Sequence, residues 1–121
     1  MMIKRKSEIQ GDVVANLRGG IGDVTRFHFL TEQESRGAGR LFAKLVIEPG
    51  NSIGEHQHKD DMEVFYILKG RALISDDGAE VTLEAGDCHI CFDGHTHSIK
   101  NIGADPLEFI AIILYTKQKN M

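Results

Sequence analysis

Apolar positions along this chain come in short bursts, rich in Val, Ile, Leu and Phe, with no recurrence at the three- and four-residue spacing of an amphipathic helix. Gly, Asp, Asn or Pro breaks the bursts at intervals close to the roughly 8–12 residues typical of sandwiches and barrels. The pattern predicts strands over 23–30, 41–48, 53–58, 63–69, 71–75, 80–83, 88–92, 96–101 and 107–116. Pro49-Gly50, Asp77-Gly78, Gly86-Asp87, Asp93-Gly94 and Asp105-Pro106 supply turn chemistry between them. An all-β chain of this kind folds as a jelly roll or related barrel, with antiparallel sheets laid over one another.

Two segments invite other readings. Thr31-Glu-Gln-Glu34 has capping-box spacing, but no apolar periodic run follows and Gly37 and Gly39 come soon after, so 31–40 is read as a loop. Gly19-Gly-Ile-Gly22 lacks the preceding strand, the Lys-Ser/Thr pair and the following helix of a phosphate loop, and is read as a turn leading into the strand at Asp23. Residues 1–22 form an N-terminal arm with too little apolar content to fold alone, and 23–121 form one barrel domain.

Composition narrows the setting. The chain has 121 residues, 41% hydrophobic and 26% charged, which suits one globular domain with its own core. No apolar stretch approaches the ~20 residues of a spanning helix, and the basic start is followed by Ser7-Glu-Ile-Gln-Gly-Asp12 rather than a secretory apolar region. A cytoplasmic protein with no membrane partner is expected. The net charge of −4 provides no general footprint for nucleic acid, so no such partner is expected either. Cys88 and Cys91 have C-x-x-C spacing, but in a strand residues three apart face opposite ways, which argues for reduced structural thiols.

The candidate chemistry lies in two stretches, Glu55 to Glu63 and His89 to His97, which hold five of the six histidines. On a strand, His56 and His58 share one face about 6.6–6.8 Å apart, close enough for both imidazoles to reach one ion. The polar run Lys59-Asp-Asp-Met62 turns the chain so that Glu63, opening the next strand, returns a carboxylate to the same place. His97 is the best-placed fourth ligand. A single surface or strand histidine is ordinarily a solvated or satisfied side chain, but H-x-H-x4-E with a distant histidine on a compatible strand asks for several ligand types to coincide.

These residues resemble the cupin superfamily. Gly50, His56, His58, Glu63 and Gly70 match its first motif, G-x5-H-x-H-x3–4-E-x6-G, and Gly86, Gly94, His97 and Asn101 match its second, G-x5-P-x-G-x2-H-x3-N. Phe92 stands where the second motif has proline, a departure that bears on loop shape rather than on metal ligation. The resemblance implies a double-stranded β-helix, the cupin jelly-roll barrel, with one divalent metal inside held by His56, His58, Glu63 and His97. Mn or Fe is favoured, with Ni, Co and Zn compatible. Small single-domain cupins described as oxalate-decarboxylase-like are nearest, and such proteins resemble one another in forming homodimers through a sheet face. True oxalate decarboxylases carry two cupin domains and an acidic lid residue, and neither is visible in this chain.

The remaining candidates depend on facing. Alternation from Glu63 puts Phe65 and Ile67 on the inward face as an apolar pocket wall. His95 is the candidate proton carrier, a catalytic role set against that of a solvated loop residue. His28, between Phe27 and Phe29, reads as a satisfied strand histidine, and the facing of His89, Arg40 and Lys44 is open. The functional expectation is a metal-dependent enzyme acting on a small carboxylate or oxygen-rich metabolite, by decarboxylase, dioxygenase, isomerase or lyase chemistry. The alternative is a non-catalytic small-molecule-binding or sensor cupin.

Overall fold

The computed structural model describes residues 1–117, so 118–121, the end of the expected domain, lie outside the described residues. Among the described residues the strands are β1 Gly11–Ala15, β2 Asp23–Leu30, β3 Gly39–Ile47, β4 Ser52–Gln57, β5 Asp61–Lys69, β6 Arg71–Asp76, β7 Ala79–Glu84, β8 Cys88–Cys91, β9 Thr96–Asn101 and β10 Leu107–Tyr115. They form a six-stranded sheet, β1-β2-β3-β10-β5-β8, and a four-stranded sheet, β4-β9-β6-β7. Every pairing is antiparallel. This is the jelly roll expected from the turn spacing.

The core lies between the sheets. Leu45, Phe65 and Phe109 from the larger sheet meet Ile53, Ile74 and Ile99 from the smaller, and all are buried. Strand alternation is clean where it matters: Asp61, Glu63, Phe65 and Ile67 of β5 are buried while Tyr66 and Leu68 are exposed. Asn101 is buried at the far end, where its amide donates to the carbonyls of Ile47 and Asp105, each at 2.8 Å, and its Oδ1 accepts from Gly103 N. The second-motif asparagine therefore ties the end of β3 to the β9–β10 turn.

Four local readings need correction. Residues 31–40 are not all loop: Glu32–Ser35 make a single helical turn, α1, closed by the reciprocal Thr31–Glu34 capping box. The cap alone suffices for one turn, although no apolar face extends it. Strand β3 starts at Gly39 rather than at 41, and β5 starts at Asp61, two residues before Glu63. The arm also contains a strand: β1 pairs with β2 from Gly11↔Phe27 to Ala15↔Asp23 and covers that edge of the larger sheet.

Residues 17–22 form a short 3₁₀ turn and bend resting on β4, where Ser52 N donates to Ile21 O at 2.9 Å. Cys88 is exposed, Cys91 is buried and both are free thiols, as strand alternation requires. No helix of the described residues is long and apolar enough to cross a membrane.

Candidate metal centre

His56 lies near the end of β4 and is paired in register with His97 of β9. A register shift between Ile53 and His56 sets the end of β4, and His58 follows just beyond it, its N–H bonded to His95 O at 3.0 Å. Glu63 comes from β5 in the other sheet. The four side chains meet where the two sheets come together, with one ligand atom from each lying within 4.8 Å of the others. They form a His/Glu cluster that could hold a metal ion.

The hydrogen bonds behind the imidazoles decide which nitrogens face inward. His56 Nδ1 lies 2.7 Å from Gly54 O, and His58 Nδ1 lies 2.7 Å from Asp61 Oδ1. Both partners are acceptors, so each Nδ1 carries a proton and each ring turns its Nε2 to the centre. There His58 Nε2 is 3.0 Å from His97 Nε2, and His97 Nε2 is 3.2 Å from His56 Nε2. Glu63 Oε1 is 3.1 Å from His58 Nε2 and 3.0 Å from His97 Nε2. Donor atoms this close around a carboxylate need positive charge among them, from a proton on a ring nitrogen or from a bound cation.

The spacing also fits an ion. Around an ion bonded at about 2.1 Å, neighbouring corners of an octahedron are about 3.0 Å apart and those of a tetrahedron about 3.4 Å. Four of the donor pairs lie at 3.0–3.2 Å and the His56 Nε2–Glu63 Oε1 pair at 3.7 Å, a range that brackets both figures.

Electrostatics agree. Burial would raise the Glu63 carboxyl, but the surrounding His56, His58 and His97 outweigh it and hold it well below the usual carboxylate range. Burial would lower His58, but Glu63 and Asp61 outweigh it and push it up. The Cys91 thiol, cross-strand from Glu63, is pushed up to about 12 by burial and the nearby carboxylates of Asp76 and Glu63.

A second layer was only partly legible. Asp61 bonds His58 and also accepts from Arg40 Nε at 2.9 Å, giving an arginine–carboxylate–histidine chain that fixes the ring. The H-x-x-D spacing of His58 and Asp61 was available as a signal. His89, whose facing alternation left open, turns inward: its Nε2 lies 3.2 Å from His97 Nδ1 and 3.4 Å from Asp76 Oδ2. Burial and the neighbouring His97 lower the pKa of His89.

The other candidates fall in different places. Phe65 stacks under His97, ring centroids 5.0 Å apart, and meets Phe109 edge-on. Ile67 is fully buried in the core. His95 stands apart from the cluster, half exposed, with its Nδ1 hydrogen-bonded to Asp77 and 3.9 Å from Asp76 Oδ1. His28 is satisfied by Asp12 at 3.3 Å. Arg40 and Lys44 do not act together. In the β3–β10 ladder Leu114 pairs with Gly39 and Ile113 with Leu41, so Arg40 is a bulge residue released from alternation. It lines a cleft, whereas Lys44 lies over the Phe27 ring and beside Glu108 on the outer face.

That cleft, about 300 Å³, opens on the His56 and Glu63 side of the cluster. Its apolar wall comes from Leu17, Leu41, Leu45, Ile53 and Ile113, and Arg18, Arg26 and Arg40 bring positive charge. Sequence reasoning had no means to find Arg18, because the path of the arm over the barrel depends on tertiary packing.

The chain and its fold have clear relatives. The cupin domain family matches residues 43–113, and the chain belongs to that family. It is 41% identical over 115 residues to the oxalate-binding protein of Thermotoga maritima, covering 93% of both chains. The crystal structure of a predicted oxalate decarboxylase from Thermotoga maritima superposes with a TM-score of 0.89 at 39% identity, covering 94% of this chain and 99% of that one. The polyketide cyclase RemF of Streptomyces resistomycificus, at 13% identity and a TM-score of 0.77 over 99% of this chain and 82% of its own, shares the fold alone.

Proposed function

We propose that this cupin holds one divalent transition metal on His56, His58, Glu63 and His97 and uses it to bind a small carboxylate, oxalate being the first candidate. The observation that carries the reading is the convergence of three inward Nε2 atoms and Glu63 Oε1, four of their contacts at 3.0–3.2 Å, opening onto a cleft lined by arginines. The mixed imidazole and carboxylate donors suit Mn(II) or Fe(II), with Co(II), Ni(II) and Zn(II) compatible. The bound ion would supply Lewis acidity and adjacent positions for two oxygens of a carboxylate ligand. The chain's own part is to fix the three rings, exclude water behind them with Phe65 and Phe109, and present positive charge in front. The 41%-identical oxalate-binding relative supports the choice of ligand.

Binding is better supported than turnover. Apart from His56 and Glu63, no imidazole or carboxylate lines the cleft among the described residues to move a proton. The enzyme reading rests on the open metal positions, with the His95 side chain linked to the site through Asp76, His89 and His97. Titrating oxalate into Mn(II)- and Co(II)-loaded protein, with product analysis after incubation, tests both. A change in the metal spectrum without product supports a binder, product supports an enzyme, and no change removes the proposal.

The outer face of the larger sheet suits a homodimer. Phe42, Ile112, Val64 and Ile90 stand in register across four strands, beside exposed Tyr66 and Leu68. A second copy applied by two-fold symmetry would cover this apolar row. Light scattering at micromolar concentration should give twice the chain mass, and a monomer would refute it.

A further inference from the structure

We propose that Arg18 forms a second anion subsite at the cleft mouth, selecting dianionic acids whose distal carboxylate lies away from the metal. The inference rests on the metal–carboxylate reading above and specifies which carboxylates that site prefers. Three arginines line the cleft, but two are already engaged: Arg26 makes a two-pronged pair with Asp12, both contacts at 2.9 Å, and Arg40 Nε holds Asp61 at 2.9 Å. Arg18 is exposed, lines the same cleft, and has no ion pair among the described residues.

The charges lead to the same ligand. Glu63 and Asp61 cancel Arg18 and Arg40, and Asp12 cancels Arg26, so a divalent ion brings its full double charge to the cleft. A dianion neutralises it and a monoanion does not. The cleft, at about 300 Å³, also leaves room beyond the few atoms that chelate a metal.

Arg18 is held there by backbone-to-backbone packing. A Cβ on Gly54 would stand 2.1 Å from Arg18 O, and one on Gly20 would stand 2.2 Å from Ser52 O. Only glycine at both positions lets the arm lie this close to β4. Asn16 Nδ2 donates to Gly20 O at 3.0 Å and Ile21 N to Ser52 Oγ at 2.9 Å, locking the turn that carries Arg18. The arm is thus a fixed rim of the cleft, and its arginine is a specificity-determining residue.

The test compares acids that give the metal the same chelating head and differ in a distal carboxylate: lactate with malate, and 2-oxobutyrate with 2-oxoglutarate. Calorimetry on the full Mn(II)-loaded chain should show the diacid of each pair binding about tenfold tighter, the scale of one charged hydrogen bond at a partly exposed site. Arg18→Gln should weaken the diacid far more than the monoacid, removing most of that preference with metal content unchanged, and Arg18→Lys should retain part of it. Gly54→Ala, which must lift the arm, should likewise lower the diacid preference, with metal content measured alongside because Gly54 O holds His56 Nδ1. A diacid preference that is absent from the wild type, or survives Arg18→Gln, overturns the subsite but leaves the metal–carboxylate reading standing. If no acid, oxalate included, binds the loaded wild type, both fall.

Discussion

The two ends of strand β5 show how one barrel interior serves two purposes. At the Glu63 end the inward face meets three imidazoles, Asp61 and a cleft edged with arginines. Two and four residues on, the same face carries Phe65 and Ile67, packed into a dry core with Phe109 and Leu107. The polar end concentrates like-facing lone pairs and buried charge, which cost stability unless compensated. The apolar end loses only water and close-packs. A barrel with this division is stable from one end and leaves the other for chemistry, so damage to the two ends should have separable consequences.

Phe109→Ala strikes the apolar end and should have the largest effect. Phe109 is fully buried against Phe65, so truncation should cost about 3–5 kcal/mol by denaturant unfolding. The double change His56→Ala/His58→Ala strikes the other end. Metal content should fall from about one per chain to none, and with it the roughly 2.7–4.1 kcal/mol that an ion at 100 to 1,000 times its Kd contributes. The metal-free variant should still unfold in one cooperative transition.

Asp61→Asn keeps every ligand but weakens the grip on His58 Nδ1, and should reduce metal affinity about 10- to 100-fold in a chelator competition. The smallest effect concerns the rim. The hydrogen-bonded Arg26 holds Asp12 below its ordinary 3.8, so this pair stabilises the fold above that pH and the contribution is lost as pH falls through the lower folded value. Asp12 is largely solvated, so acid unfolding of Asp12→Asn should differ from wild type by less than about 1 kcal/mol.

The same division explains what could be read in advance. The apolar end was legible because period-2 alternation and turn residues are local: β2 and β9 begin and end as expected, and Glu63, Phe65 and Ile67 share the inward face. The His/Glu cluster was legible because the two motifs flank strands whose register pairs His56 with His97. The cleft was not. Arg40 enters it through a bulge that alternation cannot foresee, Arg18 through an arm whose route depends on a glycine contact with β4, and His89 through a facing left open by a short strand. The pocket wall came from Leu41, Leu45 and Ile53 rather than from the residues following Glu63, because the cleft opens across the sheets instead of along β5.

Titration of the metal-free full chain with Co(II), followed by visible absorption and by metal analysis after gel filtration, bears most directly on the polar end. The spectrum should saturate at one equivalent per chain with the weak bands of a six-coordinate ion, shift when oxalate is added, and be lost in His56→Ala/His58→Ala. Saturation at no defined stoichiometry, or an unchanged titration in the double variant, would contradict the assignment of His56, His58, Glu63 and His97 as a metal centre.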